Sequence, residues 1–218
     1  GARRRYELAT GTVSEIEHRR DDNGASKRVR FRPPPRGHQA RVARSPDERW
    51  EAECVNDNVL LRPLGEEGEA RSITTDGHRK HRYGRASWVY GEELDQTTAM
   101  WWSPDSRRLA FYEFDEREGP DYYLLEGLAR LRTAPLIEGY PKAGDPNPVA
   151  GLLVYDLDSS QTTRIDVGPE RDQYVYNVRW SPQGDLLIYN RINRHQNRLE
   201  VMAADPVTGV SRVLLTEE

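Results

Sequence analysis

One tripeptide pattern recurs along the chain: Ser45-Pro46-Asp47, Ser103-Pro104-Asp105 and Ser181-Pro182-Gln183. Each is a turn former, because Pro fixes φ and a Ser or Asp side chain bonds to nearby backbone. A short apolar run leads into two of these turns, AMWW before Ser103 and YVYNVRW before Ser181. A strand-like run follows every turn: WEAECV, RLAFYEF and DLLIYN. Two further β-type runs complete each unit: NVLLRPL with ARSITT, LLVYDL with TTRIDV, and RLEVMAA with SRVLLT. Four short strands per unit, in a fixed order around a fixed turn, are what one blade of a β-propeller needs.

The turns lie 58 and 78 residues apart, against about 40–50 for common blade repeats. The longer unit holds an insertion, residues 115–139, without which the distance is 53. Within it, GLARLRTAPLIEG is the best helix candidate in a chain with few helical signals. Three units do not close a ring, since propellers use about 4–8 blades. Residues 1–40 supply at most one more, through a hairpin around Asp22-Asn23-Gly24. The expectation is an all-β chain: a partial β-propeller of three to four blades of four antiparallel strands, with one inserted arm. A β-sandwich also has short strands and frequent turns, but the repeated order favours the propeller.

The chain has 218 residues, a net charge of −4, five Trp and eleven Tyr. It can bury a sizeable core and lacks the signature of disorder. Residues 1–50 are basic, with thirteen Lys and Arg against seven Asp and Glu. The run Arg28, Arg30, Arg32, Arg36, Arg41 and Arg44 has only Phe31 interleaved, so a stacking platform for nucleic acid is not expected. Cys54 is alone, there is no Asn-x-Ser/Thr acceptor, and no apolar run approaches the ~20 residues of a membrane span. The first residue is Gly rather than Met, which suggests a piece of something longer.

Motifs for hydrolysis are missing: there is no Gly-x-Ser-x-Gly, no His-Glu-x-x-His and no phosphate-binding glycine loop. His78 and His81 are close in sequence without a third ligand type nearby, so neither a metal nor another cofactor is expected. The stretch SWVYGEELDQ is harder to set aside, because Glu92 and Glu93 stand side by side after a bulky run. On a strand their carboxylates would point to opposite faces. On a helical turn or in an irregular loop they could meet one cation, with SWVY packed against the scaffold to hold the turn. A peptide α-amino group suits such a pair, since its pKa near ~7.7–8.0 leaves it largely protonated at neutral pH. The alternative is a solvated acidic pair.

The string SWVYGEELDQTTAMWWSPDSRRLAFYEFDE, with PDYYL, YPKAGDPNP, LLVYDL and NRINRHQNRLEV after it, resembles the propeller of the dipeptidyl peptidase IV subfamily of the prolyl oligopeptidase superfamily. The resemblance runs from about residue 41 to the end and is weaker over 1–40. It implies part of an eight-bladed propeller that caps an α/β-hydrolase domain, which releases N-terminal dipeptides through a serine triad. It implies that Glu92 and Glu93 bind the substrate's free amine. It also implies an arginine that contacts a substrate carbonyl, for which Arg36 is the candidate and Arg32 the alternative. The 115–139 insertion stands where the family has an arm that helps it dimerise. A periplasmic or secreted place follows from the same resemblance, and the lone Cys and absent acceptors look bacterial. The triad and its hydrolase are absent from this chain, so the other expectation is a non-catalytic interaction scaffold.

Overall fold

The structure is a computed structural model describing residues 4–7, 12–15, 39–65, 68–129 and 131–218. It divides into two units, residues 1–33 and 34–218. In the first, β1 (Arg4–Glu7) and β2 (Thr12–Glu15) pair as an antiparallel hairpin. The hairpin expected around Asp22-Asn23-Gly24 lies outside the described residues, as do Arg32 and Arg36.

The second unit contains three successive antiparallel sheets. The first is β3 (Val42–Arg44), β4 (Trp50–Val55), β5 (Asn58–Pro63) and β6 (Arg71–Ser72), in that order. Next come β7 (His81–Tyr83), helix α1 (Trp88–Glu93), β8 (Met100–Trp102) and β9 (Arg108–Asp115). The chain then makes a separate two-stranded hairpin, β10 (Asp121–Glu126) with β11 (Ala134–Gly139). It returns through β12 (Val149–Asp156) and β13 (Gln161–Ile165), giving the sheet order β13-β12-β9 with β7 and β8 both on the far side of β9. The last sheet is β14 (Gln173–Trp180), β15 (Leu187–Asn193), β16 (Leu199–Ala204) and β17 (Ser211–Glu217). Every run assigned to a strand from the repeat lies in or against one of these sheets, and the all-β blade architecture holds.

The repeated turns share one geometry. Ser45, Ser103 and Ser181 are buried. Each hydroxyl donates to an aspartate: Asp47 at 2.6 Å, Asp105 at 2.5 Å and Asp185 at 2.6 Å. Each hydroxyl oxygen also accepts a backbone N–H from the strand that follows, Trp50, Arg108 and Leu186. The third turn has Gln183 where the others have Asp, and Asp185 takes over the role. Three residues after each Ser the backbone is left-handed: Glu48 at φ +57°, Ser106 at +61° and Gly184 at +74°. The tryptophans entering the turns tie neighbouring sheets together: Trp102 Nε1 donates to the Ala43 carbonyl and Trp180 Nε1 to that of Trp101.

The middle sheet is buried on both faces, which explains its nearly unbroken apolar strands. Leu109 and Phe111 of β9, with Leu153 and Tyr155 of β12, face a core shared with β4 and β5. The alternate residues Ala110, Tyr112 and Phe114, with Ala150, Leu152 and Val154, face a core shared with the third sheet.

The helix expected in GLARLRTAPLIEG does not form; its second half is strand β11, paired with β10 from Asp121↔Gly139 to Glu126↔Ala134. Pro135 would break an α-helix interior but is tolerated in an edge strand.

Candidate functional site

Helix α1 carries both Glu92 and Glu93, and it is a single short piece of six residues without a side-chain cap from Ser87. Trp, Val, Tyr and Gly are weak helix formers, and a helix of this length has little stability of its own. Tertiary contacts hold it. Tyr90 is fully buried, edge-on to Phe114 at 4.6 Å and to Tyr112 at 5.8 Å between ring centroids. Its hydroxyl oxygen accepts the N–H of Val175 at 3.0 Å, and burial holds the phenol's pKa far above its ordinary value. Tyr112 donates to the carbonyl of the same Val175 at 2.7 Å. Both backbone groups of Val175 thus end on the aromatic pair beneath the helix.

The chain leaves α1 through Asp95 in the left-handed region, φ +52°, a conformation Asp adopts more readily than most residues. The Gln96 N–H returns to the Tyr90 carbonyl at 2.9 Å. Gln96 Oε1 accepts the Asn177 N–H at 2.9 Å, fixing the exit to β14. Consecutive residues on a helix are about 100° apart, so Glu92 and Glu93 do not lie on opposite faces as they would on a strand. Glu92 is half-buried and Glu93 exposed. The helical turn expected for the pair is present.

Arg36 lies outside the described residues, but the segment just after it is docked on this site. Gln39 Nε2 donates to the Gln96 carbonyl at 2.6 Å, and its Oε1 accepts the Ala86 N–H at 3.4 Å. Ala40 N–H donates to the Thr97 carbonyl at 2.7 Å. One side chain therefore spans the entry and exit of the α1 segment. Sequence reasoning passed over Gln39, whose partners lie 47 and 57 residues away and leave no local signal.

The root of the inserted hairpin adjoins α1. Trp88 meets Tyr140 at 4.6 Å between centroids, and Tyr140 meets Tyr122 of β10 at 5.2 Å. Asp121 is clamped by Arg79 and Lys80, each at 2.7 Å, which holds its carboxyl down at about 2, the Arg79 hydrogen bond being the larger cause. Arg82 and Glu116 form a buried ion pair at 2.6 Å. Burial pushes the Glu116 carboxyl above its ordinary pKa, against the pull of Arg82.

His81 is engaged elsewhere. His81 Nε2 lies 2.8 Å from Glu113, whose other oxygen is 2.6 Å from Arg164. These groups are among those that line a cavity of about 620 Å³. Among the described residues no group of three or more His, Cys, Asp or Glu is placed to hold a metal, and no helix is long and apolar enough to cross a membrane.

The chain as a whole resembles known proteins in sequence and fold. A probable dipeptidyl-aminopeptidase B of Aspergillus oryzae is 31% identical over 178 residues, 75% of this chain and 20% of that protein. One from Tuber melanosporum is 34% identical over 170 residues, 69% of this chain and 19% of that protein. The crystal structure of Porphyromonas gingivalis dipeptidyl peptidase 4 superposes with a TM-score of 0.73 at 28% identity, covering 81% of this chain and 25% of that one. The chain thus spans about a fifth of the length of the curated relatives it matches. The family described as the dipeptidyl peptidase IV N-terminal region matches residues 6–218, taking in most of the first forty residues as well. The chain belongs to the dipeptidyl peptidase IV N-terminal family.

Proposed function

We propose that this chain is the substrate-recognition propeller of a serine exopeptidase that releases N-terminal dipeptides. In this reading Glu92 and Glu93 receive the substrate's α-ammonium group, and Arg36 contacts a substrate carbonyl oxygen. The observation that carries it is the placement of two adjacent acidic residues on one helical turn anchored by Tyr90, within a member of this family. A unit charge pair at ~4 Å is worth ~1 kcal/mol in water and ~4 kcal/mol at an effective dielectric of ~20. Two carboxylates on a rigid turn can therefore hold a peptide by its N-terminus, and a fixed distance from that anchor to a nucleophile makes an enzyme count two residues.

The nucleophile and its base belong to an α/β-hydrolase domain in the longer protein, in keeping with the share of the relatives that this chain spans. A second copy associating through the hairpin arm, and a periplasmic or secreted site of action, complete the proposal. The lone Cys54 and the lack of glycosylation acceptors support a bacterial source, while the two curated relatives described above are fungal. A structure of the longer protein with a bound peptide tests the reading. The peptide nitrogen is expected within hydrogen-bond distance of both carboxylates; a peptide bound with its amine elsewhere contradicts it.

A further inference from the structure

We propose that Trp88 and Tyr140 are positioning residues for the Glu92–Glu93 pair, holding helix α1 against the root of the hairpin arm. The proposal rests on the reading of that pair as the amine site. Because α1 is short, uncapped and built from weak helix formers, its placement is decided by what its side chains touch. Two anchors lie on nearly opposite sides, since residues two apart on a helix are about 200° apart. Tyr90 enters the core. Trp88 meets Tyr140, with ring planes 52° apart.

Trp88 and Tyr140 are both half-buried and belong to neither buried cluster. Their contact is a separate link between the helix and the arm. Glu92 follows Trp88 by four residues, and residues so spaced are neighbours on one side of a helix. A shift of the indole therefore moves Glu92 directly. Tyr140 is itself held by fixed backbone. Glu138 just before it pairs with Arg85 at 3.4 Å, Gly139 rests on Glu116, and the opposite strand begins at the clamped Asp121. Tyr122 lies tilted against the Tyr140 ring, and the Lys142 ammonium lies 5.6 Å over the Tyr122 ring in turn.

The test compares Tyr140→Ala and Tyr140→Phe, with Glu93→Gln as reference, by hydrogen exchange on this chain and by kinetics on the longer protein. Tyr140→Ala is expected to speed amide exchange in Val89–Leu94 about tenfold or more, with β9 and β15 unchanged, because only a local opening is released. Tyr140→Phe keeps the ring and is expected to match the parent. In the longer protein, Tyr140→Ala is expected to raise KM for free-amine dipeptide reporters about tenfold, with little change for N-acetylated ones. Unchanged exchange in α1, or an equal rise across all strands, overturns the proposal. Faster exchange confined to α1, combined with a Glu93→Gln variant that keeps its free-amine preference, upholds the link to the arm and instead removes the amine reading.

Discussion

Gly139 rests against the carboxylate of Glu116 so closely that a Cβ at this position would fall 2.5 Å from Oε2 and 2.9 Å from Cδ. Glu116 cannot swing away easily, since it is 2% exposed and its Oε2 accepts from Arg82. Gly139→Ala is therefore expected to destabilise by about 1–3 kcal/mol, the usual cost of overpacking, although Gly→Ala on unstrained backbone ordinarily stabilises. Urea denaturation measures it; an Ala variant as stable as the parent contradicts the packing.

The same carboxyl predicts a pH dependence. Burial raises its pKa in the folded chain more than Arg82 lowers it, so between the unfolded and folded values the native state binds the extra proton. Its stabilising contribution is then full below the ordinary Glu value of ~4.3 and is lost as pH rises through the raised one. Relative to Glu116→Gln, the parent should lose stability as pH climbs from acid toward neutral. A parent that gains on the variant over that range means that the attraction of Arg82 outweighs desolvation.

Tyr90→Phe removes the acceptor for the Val175 N–H while keeping the ring. A buried donor left unsatisfied costs about 1–3 kcal/mol. The variant is expected to unfold at lower urea concentration and to exchange faster through α1. Parent-like values on both counts would show that the ring alone anchors the helix.

How much of this could be read in advance follows range in sequence. The Ser-Pro turns and the strands around them depend on neighbours within a few residues, and the nearly unbroken apolar runs in RLAFYEF and LLVYDL record two buried faces. The doubled Glu at 92–93 was legible as a pair that could converge off a strand, and the structure puts it on a helical turn. Where a contact spans tens of residues the signal fades: Gln39 to Ala86 and Gln96, Trp88 to Tyr140, and Arg82 to Glu116 have no periodic trace. In the insertion, the run 127–139 offered a helical pattern locally, and pairing of 134–137 with 123–126 decided for strand.

The arm gives a further prediction. Tyr123, Leu125, Leu128 and Leu131 are 69%, 63%, 77% and 100% exposed, and a lone two-stranded hairpin is marginal in water. If a second copy covers them, the protein associates reversibly, and Tyr123→Glu with Leu125→Glu shifts sedimentation to the monomer without unfolding the sheets. Concentration-independent monomers for both parent and variant would remove the arm from assembly.

The central claim is that Glu92 and Glu93 bind a charged N-terminus. The most direct measurement is kcat/KM of the longer protein and its Glu93→Gln variant on one dipeptide reporter, free and N-acetylated, across the pKa of the amine. A hydrogen bond to a charged group is worth ~1.5–3 kcal/mol, so the variant should lose about one to two powers of ten on the free substrate. The loss should be far smaller on the acetylated reporter, and should shrink as pH rises past ~8, where the amine becomes neutral. An equal loss on both substrates at every pH would contradict the account and leave the pair a structural feature of α1.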